Sequence, residues 1–151
     1  MNRFGLFFLS MVLWSSLAAA ESETWIVIVN PPDNATTIRF DEQTGKDFAV
    51  GKVSKWADGR VVDLLLPSKS SGMLNPLARA LGHKNAASLQ RHWLRLTFSG
   101  RSDPPRFLES EAAIIEHVTA HRGAVGVIRA PDTDKVDFGV NVAVIPLAET
   151  L

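Results

Sequence analysis

A serine- and glycine-rich loop carries the most distinctive chemistry in this sequence. Residues 68–72 (SKSSG) follow an apolar, strand-like run and precede a stretch with helical spacing. The first turn of a helix has unpaired N–H groups and a positive dipole end, so this layout can present donors to an anion. The alternative interpretation is an ordinary connection between a strand and a helix.

The start of the following helix separates these two interpretations. A helix that begins at Ser71 places the loop at its positive end, but Pro76 then falls past the first turn and clashes. Asn75 as the N-cap with Pro76 at the first helical position fits the residue preferences better, yet it moves the helix end away from Ser70 and Ser71. The sequence leaves both starts open.

Other residue patterns do not indicate an enzyme, a cofactor or a metal centre. The chain has no cysteine and lacks the common metalloprotease, phosphate-loop and serine-hydrolase motifs. His117 and His121 stand four residues apart on one helix face, a spacing that suits a metal, but no third ligand is evident. Asp63 and Glu109 are acids for which the sequence indicates no catalytic partner. We therefore predict a protein without catalytic residues.

Positive charge is concentrated in residues 79–106. This segment contains a single acid, Asp103, among six basic residues: Arg79, Lys84, Arg91, Arg95, Arg101 and Arg106. One interpretation is that these side chains are the solvated faces of amphipathic helices. The other is a surface for an anion or an acidic partner. The whole chain has no net charge, so a general attraction to nucleic acid is not expected.

Strand and helix patterns alternate along the chain. Continuous apolar runs at residues 25–29, 61–66, 124–128 and 140–146 predict strands, and a turn is expected at residues 132–135. Helical spacing is expected from Lys46 to Val53, around Leu77, from Asn85 to Leu96, and after a Ser110 N-cap. This order predicts a single three-layer α/β domain with a mostly parallel sheet.

The N-terminal segment has the features of an export signal. Arg3 precedes the apolar residues 4–17, and three alanines follow at residues 18–20. This is the order of a cleavable signal peptide, so we predict a signal peptide at residues 1–20 and a mature domain at residues 21–151. Without cysteine the mature chain is neither a lipoprotein nor a disulfide scaffold. We expect a periplasmic or secreted protein that is not inserted in the membrane after cleavage.

Several sequence pieces together resemble the phosphate-binding substrate-binding proteins of ABC importers, especially their short periplasmic forms. The similarity covers about residues 25 to 130. Its pieces are residues 26–30 (IVIVN), Gly51-Lys52 with Trp56, the serine-glycine loop, Arg91-His92-Trp93, residues 96–101 (LTFSGR) with Pro104-Pro105, and residues 123–127 (GAVGV).

The resemblance implies one lobe of a type II periplasmic-binding-protein fold, in which two α/β lobes close on an oxyanion. The chain is long enough for one lobe only and matches the second. In that lobe the family has an arginine ahead of Ser-Gly-Thr; here Ser71 and Gly72 match, Met73 replaces the threonine, and Lys69 is the nearest cation. Lysine is a point charge and does not reproduce the guanidinium fork. Weak phosphate binding is therefore expected.

Two functions follow from these observations. In the first, the chain binds phosphate or another oxyanion through Lys69, Ser70, Ser71 and Gly72, with Arg101 nearby. In the second, it has kept the fold and lost the ligand, and it acts as an interaction or sensing module with a protein partner or a second copy of itself.

Overall fold

A computed structural model of the chain describes residues 24–33, 35, 38–130 and 136–147. The predicted signal peptide and the predicted turn at residues 132–135 lie outside these residues. Five strands form one sheet in the order β3-β2-β4-β1-β5. They are β1 (Trp25–Val29), β2 (Asp63–Pro67), β3 (Arg106–Leu108), β4 (Ala124–Arg129) and β5 (Ala143–Leu147).

Four of the five strands run in the same direction. β2 pairs in parallel with both β3 and β4. β1 is antiparallel to its two neighbours, β4 and β5, so β5 points the same way as β4. The prediction of a mostly parallel sheet is confirmed, with β1 as the reversed strand. Every residue of β1 is buried, as its uninterrupted apolar run predicts for an interior strand.

Helices cover both faces of the sheet, which confirms the three-layer prediction. Helices α1 (Glu42–Ala49), α2 (Leu74–Ala80) and α3 (Ala86–Phe98) lie on one face, and α4 (Glu111–Ala120) lies on the other. Alternate residues of β1 face different cores, because Val27 belongs to the same buried cluster as Leu77 and Trp93, whereas Ile28 belongs to the cluster that contains Ile114. No helix among the described residues is long and apolar enough to cross a membrane.

Local capping explains where the helices begin. Asn85 forms a capping box with Ser88 at the start of α3, and the Ser110 hydroxyl accepts a hydrogen bond from the Ala113 N–H, as the sequence predicts. The predicted bounds of the first helix, Lys46 to Val53, were wrong. Helix α1 begins earlier, because the Asp41 side chain caps it and accepts a hydrogen bond from the Thr44 N–H at 2.9 Å. This cap starts α1 four residues before Lys46.

Gly126 sets how closely α4 approaches the sheet. A Cβ atom at this position would lie 2.5 Å from Cγ2 of Ile114 and 3.0 Å from Cγ2 of Val118. All three residues lie in the core between α4 and β4. The missing side chain therefore provides the space into which two branched side chains of α4 pack.

We predict that Gly126→Ala lowers the free energy of unfolding by about 1–3 kcal/mol, because the added methyl overpacks this contact. Ile114→Ala should cost about 2–5 kcal/mol through a cavity. The double variant should lose less than the sum, since the new methyl occupies part of that cavity. Urea denaturation of the three variants measures this coupling, and strictly additive costs would contradict the assigned contact.

Candidate functional site

The serine-glycine loop connects β2 to α2 at the carboxyl edge of the sheet. The Ser68 N–H donates to the Leu108 carbonyl at 2.8 Å, which places the loop beside the end of β3. Ser68 is buried, whereas Lys69 and Ser70 are exposed. Ligands of open α/β sheets bind at the carboxyl ends of strands, so the loop has the general position of a ligand site.

The serine hydroxyls of this loop are engaged within the protein. The Ser71 hydroxyl donates to the Ser68 carbonyl at 2.6 Å, and the hydroxyl oxygens of Ser68 and Ser70 lie 2.9 Å apart. The Ser70 hydroxyl also donates to the carboxylate of Glu109. A bound anion would have to replace these existing hydrogen bonds, which reduces its net gain.

The backbone donors at the end of the loop are engaged as well. The Ser71 N–H donates to the Ser68 hydroxyl at 3.3 Å, the Gly72 N–H to the Lys69 carbonyl at 3.2 Å, and the Met73 N–H to the Ser71 hydroxyl at 3.2 Å. Gly72 has a φ of +75°, a conformation that glycine adopts without strain. These bonds make the loop a closed turn.

Charge at the loop has both signs. Lys69 is exposed, and no carboxylate pairs with it in the part of the chain that the structure describes. Glu109 brings a carboxylate onto Ser70, the place where an oxyanion would accept hydrogen bonds. Two like unit charges at 4 Å repel by about 1 kcal/mol in water and by about 4 kcal/mol at a protein surface.

Arg101 lies at the opposite end of the strands, so the expectation that it is near the loop was wrong. Its carbonyl accepts the Ser54 hydroxyl at 3.2 Å, and the Ser54 carbonyl accepts the Val62 N–H at 2.9 Å, immediately before β2. The loop follows the other end of β2, about 17 Å away for five extended residues. The structure therefore brings together Lys69, Ser70, Ser71 and Gly72 without Arg101.

Neither expected start of the second helix is correct. The helix α2 begins at Leu74, its N-cap position is Met73, and no side chain caps it. Pro76 is the third helical residue. N–H groups of the first helical turn have no acceptor within the helix, so proline, which lacks an N–H, costs no hydrogen bond there. Instead of capping α2, the Asn75 side chain accepts the Ala86 N–H at 2.8 Å and ties α2 to α3.

A polar network that the sequence analysis missed joins β2, β3 and α4. Both carboxylate oxygens of Asp63 accept hydrogen bonds from Arg106, at 3.0 and 2.6 Å, and His117 Nε2 lies 2.7 Å from the same carboxylate. The partners are 43 and 54 residues from Asp63 in sequence, so no local pattern pairs them. Partial burial raises the pKa of Asp63, but the hydrogen bonds from Arg106 and His117 outweigh it and lower the pKa overall.

The histidine pair on α4 takes part in this network instead of offering two free ligands. The rings of His117 and His121 stack with centroids 4.0 Å apart. His117 Nε2 faces Asp63, and His121 Nδ1 lies 2.8 Å from the His117 carbonyl. Across the described residues, no group of three or more His, Asp or Glu side chains is placed to hold one metal ion.

Solved structures share this fold, although no family model matches the chain and no curated protein is similar to it in sequence. An ABC-type phosphate transport receptor from Vibrio cholerae aligns with 82% of this chain at 14% identity and a TM-score of 0.50. A possible phosphate binding protein from Planctomyces limnophilus aligns with 71% at 17% identity and a TM-score of 0.43. The chain spans 45% and 36% of their lengths. The first alignment shows that the described residues have the fold of part of that receptor.

We predict that Asp63→Asn lowers the free energy of unfolding at pH 7 by about 0.5–1 kcal/mol, the range for a partly exposed ion pair. The pKa of Asp63 is lowered in the folded state, so its contribution is complete above the unfolded value of about 4 and disappears as the pH falls through the folded value. Urea denaturation between pH 7 and pH 2.5 measures the difference from wild type.

The matched control is Glu116→Gln, which removes an exposed carboxylate from the same helix as His117. It should leave the stability close to that of wild type. A deficit in Asp63→Asn that persists unchanged at pH 2.5 would contradict an ionic role for Asp63.

Proposed function

We propose that this chain is a non-enzymatic module of the periplasm or the cell exterior that has the fold of a substrate-binding-protein lobe and acts by associating with another protein. The hydrogen bond from Ser70 to Glu109 carries this proposal, because it places the protein's own carboxylate in the loop where the family would bind an oxyanion. Export is supported by the predicted signal peptide at residues 1–20.

A phosphate at the loop would find its hydroxyl donors already hydrogen-bonded. The hydroxyls of Ser70 and Ser71 already have acceptors, namely Glu109 and the Ser68 carbonyl. An incoming phosphate would exchange one set of hydrogen bonds for another and would face the Glu109 carboxylate. Such an exchange contributes little net free energy, and the like charge opposes it.

The loop is also open to solvent. The resemblance implies an oxyanion enclosed between two lobes, and this chain spans 45% of the Vibrio cholerae receptor. Lys69 and Ser70 are exposed to water at the edge of a single lobe. Hydrogen bonds and ion pairs to a ligand in such a place compete directly with solvent.

A second candidate function is weak oxyanion binding by the loop itself. The exposed ammonium of Lys69, which has no carboxylate partner within the described residues, favours it. The likeness of the fold to a phosphate transport receptor is consistent with this candidate. The two candidates differ in whether Glu109 leaves the loop when phosphate is present.

Thermal melting with phosphate distinguishes them. We expect about 10 mM phosphate to give the wild-type protein no more stabilisation than sulfate or chloride at the same ionic strength. Glu109→Gln removes the negative charge from the loop, so this variant should gain a phosphate-dependent rise in Tm. A ligand at its dissociation constant adds about 0.4 kcal/mol, and one at 100 times that concentration adds about 2.7 kcal/mol.

Glu116→Gln, which removes an exposed carboxylate away from the loop, is the matched control and should gain nothing. A phosphate-specific rise in the wild type that is lost in Lys69→Glu with Ser71→Asp would overturn the proposal and establish the second candidate. If phosphate does not raise the Tm of Glu109→Gln either, Glu109 is not the group that prevents phosphate from binding to the loop.

A further inference from the structure

The outward side of α3 exposes large apolar side chains. Leu94 is 54% exposed and Phe98 is 87% exposed, and their spacing of four residues places them on the same side of the helix. The opposite side of α3, with Leu89 and Trp93, is buried in the core. Single exposed apolar residues are common, but two on adjacent turns of one helix face indicate a contact surface.

These residues form the exposed side of one helix, over which lies an open, shallow depression of about 530 Å³. We call this side the α3 surface, and its residues are Arg91, Leu94, Arg95, Phe98 and Ser99. It combines two apolar side chains with two guanidinium groups. This combination suits a partner that offers both apolar side chains and acceptors.

The arginines of the α3 surface have no acidic partner among the described residues. Elsewhere in the molecule, Arg106 pairs with Asp63 and Arg122 with Asp33, whereas no ion pair among the described residues involves Arg91 or Arg95. The negative end of the α3 dipole accounts for a cation in the last turn, where Arg95 lies. It does not account for Arg91, two turns from the helix end.

The positive field of Arg95 also reaches a neighbouring side chain. Burial lowers the pKa of His83, and the charges of His92 and Arg95 lower it further. Because no carboxylate among the described residues pairs with Arg91 or Arg95, the α3 surface is positive. Two copies of the chain placed face to face on α3 would bring four arginines together, which disfavours a symmetric dimer through this surface.

We infer that the α3 surface binds an acidic, amphipathic segment of a partner protein. Carboxylates of that segment pair with Arg91 and Arg95, since guanidinium groups bind carboxylates in a bidentate way. Apolar side chains of the same segment pack against Leu94 and Phe98. This inference rests on the proposed function, because it supplies the partner class and the surface for that association.

The test uses a labelled synthetic peptide of about 16 residues, with glutamate and leucine on opposite helical faces, in fluorescence anisotropy with the purified protein. We expect binding to the wild type that weakens about tenfold or more in Arg95→Glu and in Phe98→Ser. Arg39→Glu makes the same charge change before α1, and Val140→Ser removes another exposed apolar side chain. Both controls should bind as the wild type does. Circular dichroism confirms that each variant is folded.

Three outcomes would overturn the inference. The first is absence of peptide binding by the wild type. The second is an equal loss in Arg39→Glu and Arg95→Glu, which would show that net charge alone controls binding. The third is binding to vesicles of phosphatidylcholine with phosphatidylglycerol through Phe98 without binding of the peptide, which would make the occupant a lipid surface. Phosphate protection of the wild-type protein, in contrast, overturns the proposed function and leaves the α3 surface to be judged by the peptide alone.

Discussion

The backbone contact between Asn30 and Gly123 holds together the elements on which the rest of the structure depends. The Gly123 N–H donates to the Asn30 carbonyl at 2.6 Å, and the Asn30 N–H donates to the Ala124 carbonyl at 2.9 Å. The Asn30 side chain donates to the Val118 carbonyl at 2.8 Å, and Trp56 Nε1 donates to the Gly123 carbonyl at 3.1 Å. Gly123 has a φ of +90°, which few other residues tolerate. The ends of β1 and α4 and the start of β4 meet at this junction.

The sequence pieces that resemble phosphate-binding proteins mainly build this scaffold. Trp56 contacts Gly123, and a Cβ on Gly51 would lie 2.6 Å from the Trp93 ring. His92 Nε2 lies 2.8 Å from the Val50 carbonyl. These are packing and hydrogen-bonding contacts of the fold, remote from the serine-glycine loop. A likeness of fold is therefore compatible with a changed loop, because folds and sites vary separately.

A structural element could be predicted from the sequence where the residues that determine it lie close together in the chain. β1 and α3 were predicted well, because an apolar run and a capped amphipathic stretch are complete within each segment. β3 was missed, since it has three residues at a sheet edge and no apolar pattern. Contacts between distant segments could not be predicted from the sequence either. One example is the hydrogen bond between Ser70 and Glu109, which are 39 residues apart. Arg101 was misplaced for the same reason, because the topology puts it at the far end of β2.

In the proposed function, the Glu109 carboxylate takes the place that an oxyanion would have at Ser70. A crystal structure of the wild-type protein grown in phosphate tests this role. We expect the Glu109 carboxylate to remain hydrogen-bonded to Ser70 and no phosphate to lie at residues 68–72. A phosphate held by Lys69 and Ser71, with Glu109 displaced from Ser70, would show that Glu109 does not have this role.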